Sequence, residues 1–193
     1  INKQKNLVCI YVGDAALEEG VFYESLNFCV IKKLPVVFIC ENNFYSVYTH
    51  IKDRQPYNRK LFKLAEAIGA KSNKLKQDNP YILFSNLEKI FNKVRKNPFP
   101  HFIEIETYRY LEHCGPNDDT SLGYRTNKEV EKWKKKDPVI FSKNYLIKKN
   151  ILKRSKIDLL EKNIIKNVDT EFNFIKNLKK PNFSKIRSLV YKK

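Results

Sequence analysis

Two short apolar runs, separated by a helix-like stretch, constrain most strongly how this chain can fold. Residues 7–12 (LVCIYV) and residues 35–40 (PVVFIC) are rich in β-branched and aromatic side chains and contain no charge. Such runs are typical of strands that are covered on both faces in a parallel sheet. Because residues 18–33 between them have the spacing of an amphipathic helix, the three pieces predict a parallel βαβ unit.

The predicted helix over residues 18–33 carries apolar side chains on more than one side. Phe28 and Ile31 lie outside its main stripe and indicate a second buried face. The main stripe comprises Val21, Phe22, Leu26, Cys29 and Val30. We therefore expect this helix to be buried on more than one side.

The following segments continue the alternation of strands and helices. Residues 41–60 predict a loop, residues 61–70 a short helix ending at a glycine, and residues 71–75 a strand. Residues 81–96 predict an amphipathic helix, and residues 101–110 (HFIEIETYRY) predict a strand that leads into a polar loop. Three or four strands with intervening helices predict an α/β fold with a parallel sheet.

The chain changes character near residue 126 and divides into two predicted domains. Residues 1–125 hold 18 basic and 14 acidic side chains, whereas residues 126–193 hold 20 and 7. In the second part Asn127 as an N-cap, Pro138 and Ser155 mark three helix starts. The last of these helices has an apolar side formed by Ile157, Leu160, Ile164, Ile165, Val168 and Phe172. We therefore expect an α/β domain followed by a basic helical region.

The formal net charge of +17 would suit a nucleic-acid partner, but the residue types argue against one. Of the 38 basic residues 31 are lysine and only 7 are arginine, whereas bases and phosphates are bound best by arginine forks. Lys, Asn and Ile together make up 69 of the 193 residues, which indicates a compositional drift along the whole chain. No apolar run reaches the roughly 18 to 20 residues of a membrane-spanning helix. We therefore expect neither a nucleic-acid partner nor a membrane.

The four cysteines indicate neither a disulfide framework nor a zinc site, because they are widely spaced and form no CxxC pair. A reducing, cytoplasmic environment is therefore the expectation. Cys9, Cys29 and Cys40 lie in apolar segments, so we expect them to be small buried side chains.

Polar residues follow each of the two apolar runs. Gly13, Asp14 and Ala15 come after the first run, and Asn43 comes after the second, 29 residues beyond Asp14. In parallel sheets ligands bind beyond the carboxyl ends of the strands, where helix N-termini attract anions. A carboxylate beside a phosphate becomes favourable when a divalent cation lies between them. Asp14, Asn43 and the carbonyl of Tyr45 would be oxygen ligands of the kind that Mg²⁺ prefers.

The same residues also have purely structural interpretations. Gly-Asp before a helix is a common N-cap, and Asn-Asn is a common turn. The two short motifs alone leave both interpretations open.

Longer stretches of the chain resemble a known family. GDAALEEGVFYESLNFCVIKKLPVVFICENNFYSVYT (residues 13–49) resembles the thiamine diphosphate motif, in which Gly-Asp is followed about 30 residues later by Asn-Asn. More narrowly, it is similar to the alpha subunit of thiamine-diphosphate-dependent 2-oxoacid dehydrogenases. The similarity extends through IEIETYRYLEHCGPNDDTSLGYRT (residues 103–126) and KKDPVIF (residues 135–141), and thus covers most of residues 7–141. It implies the thiamine-diphosphate-binding α/β fold with a helical C-terminal tail.

The resemblance implies roles for the residues after the two strands. Asp14 and Asn43 match the magnesium ligands, with the carbonyl of Tyr45 beside them. The backbone of Ala15 and Ala16, with Gly13 before them, would approach the diphosphate. Family members more usually have Gly-Asp-Gly here, so Ala15 departs from the pattern.

A second set of implied site residues lies in the polar loop after residue 106. His113 matches the active-site histidine of the family, which contacts the diphosphate region and assists transfer to the lipoyl acceptor. Arg109 would order this loop, and Tyr124 with Arg125 would anchor its far end. Taken alone, His113 has the sequence context of a surface histidine, and Arg109 that of an ion-pair partner for a nearby glutamate.

The activity implied by the resemblance is the oxidative decarboxylation of a 2-oxo acid, with acyl transfer to a lipoyl acceptor. Thiamine diphosphate and magnesium are the implied cofactors. The implied partners are a beta subunit, a second alpha subunit and a lipoyl-bearing acyltransferase. The chain begins with Ile1 rather than Met, close to the first motif strand. We therefore expect an upstream segment to be missing, and weak cofactor binding and no activity without that segment and the beta subunit.

Two other functions stay open from the sequence. One is a related thiamine-dependent enzyme with a different reaction, such as an acetoin-cleaving or transketolase-like carboligase. The other is a truncated, non-catalytic paralogue that serves as an interaction module. The particular 2-oxo acid is not specified by the residues in this chain.

Overall fold

The computed structural model describes residues 6–76 and 79–180. The strands are β1 (Val8–Gly13), β2 (Val36–Asn42), β3 (Tyr45–Ser46), β4 (Thr49–His50), β5 (Lys71–Lys76) and β6 (His101–Glu106). The helices are α1 (Gly20–Ile31), α2 (Ile51–Arg54), α3 (Leu61–Ile68), α4 (Pro80–Lys96), α5 (Asn127–Lys134), α6 (Pro138–Lys148) and α7 (Arg154–Lys176). This order confirms the predicted alternation of strands and helices through β6.

Four of the strands form one sheet in the order β1-β2-β6-β5, and every neighbouring pair runs parallel. The register pairs Val8 with Val36 and Gly13 with Glu41, so that β1 and β2 end side by side. The parallel α/β architecture expected from the two apolar runs is therefore confirmed. Strands β3 and β4 form a separate antiparallel hairpin beyond the end of β2.

The sheet has an apolar core on each face, because successive side chains of a strand point to opposite sides. On one face Phe38 of β2 packs with Phe22 and Leu26 of α1 and with residues of α3. On the other face Val37 and Ile39 of β2 pack with residues of α4. The central strand β2 is thus covered on both sides, as its continuous apolar run predicted.

Strand β1 differs from the prediction, because it lies at an edge of the described sheet and is largely exposed. Val8 is 56% exposed and Tyr11 65%. The prediction that Cys9 is buried is also wrong, whereas Cys29 and Cys40 are buried as expected. Periodicity identifies β1 as a strand, but it does not reveal that β2 is the single strand paired with it within residues 6–76 and 79–180.

The predicted second buried face of α1 is likewise wrong. Phe22, Leu26 and Cys29 point into the core, but Phe28 is 56% exposed and Ile31 65%. Helix α1 lies on a single face of the sheet, so the described part of the chain covers one stripe of its surface.

Two smaller predictions are corrected near the ends of elements. Residues 41–60 were expected to be a loop, but they contain the β3–β4 hairpin and the single turn of α2. The N-cap of α5 is Thr126 rather than Asn127, since the Thr126 side chain accepts a hydrogen bond from the Glu129 N–H. Glycine Gly69 ends α3 in the left-handed conformation, as the short helix ending at a glycine predicted.

The chain divides into two units, one up to Ser142 and one from Lys143 onward, whereas its composition changes at residue 126. Helix α5 belongs to the first unit, because Val130 packs with aromatic side chains of that unit. In the second unit Ile157 is buried, but the other residues on the apolar side of α7 are exposed: Leu160, Ile164, Ile165, Val168 and Phe172. No described helix combines the length and apolar character needed to cross a bilayer.

Two phenylalanines on α1 provide a matched test of this packing. Phe22 is 6% exposed and makes edge contacts with Phe38 and Phe102. We expect Phe22→Ala to lower the free energy of unfolding by about 3–5 kcal/mol. Phe28→Ala removes an exposed ring from the same helix and should change it by less than about 0.5 kcal/mol. Urea denaturation measures both, and equal losses would contradict the orientation of α1.

Candidate functional site

The carboxyl ends of β1 and β2 bring two predicted site segments together. Asp14 follows β1 directly and begins a 3₁₀ turn over Asp14–Glu18. Asn43 follows β2 directly, and the hairpin that begins at Tyr45 packs against the 3₁₀ turn. The parallel pairing of the strands therefore places Asp14 beside the segment that contains Asn43 and Tyr45.

Asp14 is a buried carboxylate with a cationic partner. It is 1% exposed, and its Oδ2 forms an ion pair with Nη2 of Arg54. The second terminal nitrogen of Arg54 pairs with Glu18, which also accepts a hydrogen bond of 2.7 Å from Gln55. Burial raises the pKa of the Asp14 carboxyl above its usual value, although the hydrogen bond and the charge of Arg54 act in the opposite direction.

The turn after β2 contains two residues with positive φ angles, and side chains of the same turn hydrogen-bond to its backbone. The Oδ1 atoms of Asn42 and Asn43 accept hydrogen bonds from the N–H groups of Phe44 (3.1 Å) and Tyr45 (2.9 Å). Phe44 and Val47 adopt positive φ angles of 71° and 52°. Such angles are costly for bulky and β-branched residues and are found where the surrounding structure enforces them. The segment that presents Asn43 is therefore tightly specified.

The residues around Asp14 leave the backbone accessible. Ala15 and Ala16 are half-buried members of the 3₁₀ turn, and Gly13 is exposed. Ala15 does not adopt a positive φ angle, so its backbone conformation does not require glycine. The departure from Gly-Asp-Gly is therefore compatible with the local geometry.

A cavity of about 430 Å³ opens near this end of the sheet. At its wall, Glu104 of β6 is 3% exposed and accepts hydrogen bonds from Nδ2 of Asn42 (3.0 Å) and the N–H of Phe62 (3.2 Å). Lys74 lies 3.4 Å from the same carboxylate. The cavity lining includes Asn42, Phe44, Arg59, Lys60, Lys74 and Glu104. Its charged groups are thus mainly cationic.

Tyr45 of the hairpin belongs to an aromatic cluster that includes Tyr108 and Trp133. The hydroxyls of Tyr45 (2.9 Å) and Tyr108 (3.1 Å) both donate to the carboxylate of Glu129 on α5. Trp133 stacks on Tyr108, with ring centroids 5.2 Å apart and planes 6° from parallel. Burial, together with the nearby charge of Glu129, raises the pKa of Tyr108 to about 12 and also raises that of Tyr45. Both hydroxyls therefore remain protonated donors at neutral pH.

The polar loop after β6 is held by two arginines. Arg109 donates a hydrogen bond of 2.7 Å to the carbonyl of Val47, which joins this loop to the hairpin. Arg125 is fully buried, and it forms an ion pair of 2.6 Å with Asp119. Tyr124 donates a hydrogen bond of 2.6 Å to the same carboxylate. These contacts place Arg109, Tyr124 and Arg125 where they fix both ends of the loop.

His113 lies in this loop and is exposed. Among the described residues, no hydrogen bond, ion pair or ring contact joins it to Asp14 or Asn43. The loop around it is ordered by Glu112, whose carboxylate accepts a hydrogen bond of 2.7 Å from Asn117. The structure therefore places His113 on an accessible loop, and its catalytic role stays a prediction.

The side-chain oxygens of Asp14 and Asn43 are of the kind that binds a hard divalent cation. Both side chains, however, already have partners within the chain. Asp14 offers a carboxylate and Asn43 an amide oxygen, and oxygen ligands suit Mg²⁺. However, Asp14 is paired with Arg54, and Asn43 accepts the Tyr45 N–H. Within residues 6–76 and 79–180, no cluster of three or more His, Cys, Asp or Glu side chains could hold a metal ion. A cation at this site would thus rely on amide and carbonyl oxygens besides Asp14.

Comparison with known proteins assigns the family. The model of the dehydrogenase E1 component family matches residues 1–184. The chain belongs to the dehydrogenase E1 component family. This membership confirms the resemblance to 2-oxoacid dehydrogenase alpha subunits found in the sequence motifs, and it agrees with the parallel α/β sheet.

Relatives of this E1 family member are pyruvate dehydrogenase E1 component alpha subunits. The protein from Rickettsia bellii is 29% identical over 190 residues, which cover 98% of this chain and 57% of the relative. The protein from Staphylococcus aureus (strain Mu50) is 31% identical over 153 residues, covering 79% of this chain and 41% of the relative. That from Acholeplasma laidlawii is 27% identical over 177 residues, covering 92% and 51%. The chain thus spans about half the length of these relatives.

Several residues of the site were not identified from the sequence. Arg54 lies in a polar segment without periodicity, and its partner Asp14 is 40 residues away, so no local pattern reveals the pair. Glu129 looks like an ordinary first-turn acid of α5. Glu104 is the one of these three residues that the sequence could have indicated. It lies within the apolar strand HFIEIE, and a buried carboxylate needs hydrogen-bonding or charged partners.

The buried pair of Arg125 and Asp119 provides a stability test. Arg125→Met removes the 2.6 Å partner of buried Asp119 and leaves it only the longer ion pair of 3.7 Å with Arg109. We therefore expect the free energy of unfolding to fall by about 3 kcal/mol. Arg154→Met makes the same change at an exposed pair with Asp158 and should cost less than about 1 kcal/mol. Chemical denaturation compares the two variants. Similar losses would show that the loop anchor is not energetically important.

Proposed function

We propose that this chain is the alpha-type part of a thiamine-diphosphate-dependent 2-oxoacid dehydrogenase and contributes the metal–diphosphate half of the cofactor site. The enzyme would oxidatively decarboxylate a 2-oxo acid and transfer the acyl group to a lipoyl acceptor. A beta subunit, a second alpha subunit and a lipoyl-bearing acyltransferase are its proposed partners. The names of the relatives favour pyruvate as the substrate.

One observation carries the proposal beyond family membership. The buried carboxylate of Asp14 and the strained turn that presents Asn43 and Tyr45 occupy neighbouring carboxyl ends of one parallel sheet. This is the edge of a parallel sheet at which ligands bind. Three oxygen donors of the types that Mg²⁺ accepts therefore lie in neighbouring segments, where Asp14 and the Asn43 side chain already have partners within the chain.

In this proposal the chain binds and orients, and the cofactor supplies the reactive group. Bound thiamine diphosphate supplies a thiazolium ring that acts as an electron sink during decarboxylation. Asp14, Asn43 and the Tyr45 carbonyl would hold Mg²⁺, which neutralises the diphosphate. The backbone of Ala15 and Ala16 would contact the phosphate oxygens.

The hydrogen bonds of the supporting residues favour a rigid rather than an adaptable site. Glu129 fixes the Tyr45 ring, so the neighbouring backbone carbonyl is held in place. Arg109 ties the loop of His113 to the carbonyl of Val47 in the hairpin. His113 would then reach the diphosphate region from an ordered loop, and its exposed ring would be free to meet the lipoyl acceptor.

Calorimetry of thiamine diphosphate with Mg²⁺ tests the metal clamp, with and without a co-expressed beta subunit. We expect Asp14→Ala to weaken Mg²⁺-dependent binding by roughly 100-fold or more, since even residues behind a metal ligand cost 10- to 100-fold. Asp53→Ala removes an exposed carboxylate of α2 and serves as the control. Absence of binding to the wild type with its partner present would favour a non-catalytic interaction module.

The reaction type is tested with the assembled enzyme. We expect 2-oxo acid decarboxylation with a dye acceptor and no comparable ketol transfer, which would instead indicate a carboligase. His113→Ala should reduce acyl transfer to a lipoyl domain by roughly 100-fold or more while the dye reaction falls less. Cys114→Ala changes the exposed neighbour and should leave both rates unchanged. Equal loss of both rates in His113→Ala would contradict a role in acyl transfer.

A further inference from the structure

Arg54 is held against the candidate metal ligand by three of its nitrogens. Nη2 pairs with Asp14, Nη1 pairs with Glu18, and Nε donates a hydrogen bond of 3.3 Å to the carbonyl of Thr49. The Arg54 side chain is 11% exposed, and that of Asp14 is 2% exposed. The guanidinium thus bridges two carboxylates of the same 3₁₀ turn at the edge of the proposed site.

This arrangement solves an electrostatic problem that exists whenever no metal is bound. A buried carboxylate without a compensating cation strongly destabilises a folded protein. Asp14 has a second carboxylate, Glu18, on the same turn, which adds repulsion. Arg54 places its single positive charge between the two carboxylates and binds each with one nitrogen of a planar fork, a geometry that lysine does not reproduce.

A divalent cation on Asp14 changes this balance. The cation and the guanidinium would lie close together in a poorly solvated site, where like charges repel strongly. The diphosphate group that accompanies the metal brings several negative charges, and arginine binds phosphate oxygens with paired hydrogen bonds. Arg54 would therefore lose a favourable partner in Asp14 and gain one in the diphosphate.

We propose that Arg54 is an exchangeable counter-ion, which bridges Asp14 and Glu18 when the site is free of metal and moves to the diphosphate when the metal–diphosphate binds. This inference rests on the proposed function. It makes Arg54 a competitor of the metal alone and a ligand of the complete cofactor. Removal of Arg54 should therefore strengthen the binding of the metal alone and weaken the binding of thiamine diphosphate. A purely structural arginine would not produce these two opposite changes.

The experiment uses the 193-residue chain co-expressed with its beta subunit, with Mn²⁺ as the probe for the metal and thiamine diphosphate as the probe for the cofactor. Electron paramagnetic resonance of free Mn²⁺ gives the metal affinity in the absence of cofactor. Because Arg54→Gln removes a positive charge that would repel the metal, we expect this variant to bind Mn²⁺ about tenfold more tightly than the wild type. At saturating Mn²⁺, calorimetry should show thiamine diphosphate binding about tenfold more weakly to the same variant.

Two further variants make the test specific. Arg95→Gln removes an exposed arginine of α4 that hydrogen-bonds to Asn92 rather than to Asp14, and it should change neither affinity. Arg54→Lys keeps the charge but not the fork, so it should give intermediate shifts of the same signs. If Arg54→Gln does not fold by circular dichroism, the lysine variant decides the result.

The outcomes separate this inference from the proposed function. Weaker Mn²⁺ binding in Arg54→Gln would show that Arg54 supports the metal ligand, and it would overturn the inference. Unchanged affinities in Arg54→Gln, while the wild type binds the complete cofactor, would overturn the inference and leave the proposed function intact. If the wild type binds no thiamine diphosphate, the proposed function fails, and the Mn²⁺ comparison alone still decides whether Arg54 competes for Asp14. Absence of Mn²⁺ binding in all variants would overturn both.

Discussion

The parallel pairing of β1 with β2 is the constraint on which the candidate site depends. Because Gly13 lies opposite Glu41, the chain leaves both strands at the same edge, and Asp14 emerges beside the turn that contains Asn43. An antiparallel pair would separate these residues by the length of the strands. The crossover through α1 makes the parallel arrangement possible, and Phe22 anchors that helix in the core. Core packing and site geometry are therefore consequences of one topology.

Hydrogen bonds from outside the sheet hold the hairpin after β2 in place beside Asp14. The hairpin after β2 contains left-handed Phe44 and Val47, which would relax in an isolated peptide. It is held from one side by Glu129, through the Tyr45 hydroxyl, and from the other by Arg109, through the Val47 carbonyl. Residues more than 60 positions along the chain thus stabilise the turn. Its strain is offset by long-range hydrogen bonds rather than by local sequence preference.

These two kinds of contact explain which features the sequence could predict. Strand β2 and Asn43 were identified because periodicity and strand-end position are local properties. The exposed ring of Phe28 and the edge position of β1 were missed, because a sequence pattern records apolar character but not how many neighbours cover it. Arg54 was missed for a related reason, since its contacts with the 3₁₀ turn exist only after the chain folds. The sequence therefore predicts strands and helices better than it predicts which charged side chains form ion pairs.

The buried charge of Asp14 is compensated from within the chain. A carboxylate beside a phosphate requires a cation, and Arg54 places one in contact with Asp14. The sequence predicts a cation at this position, but it does not reveal that an arginine of the same chain contacts the carboxylate. A chain with 31 lysines uses arginine at this position, where a planar fork must bridge Asp14 and Glu18. Lysine can also contact two carboxylates, as Lys74 does with Glu104 (3.4 Å) and Glu106 (3.2 Å). Its ammonium lacks the fixed planar arrangement of donors that Arg54 directs at Asp14, Glu18 and the Thr49 carbonyl, so geometry as well as charge favours arginine here.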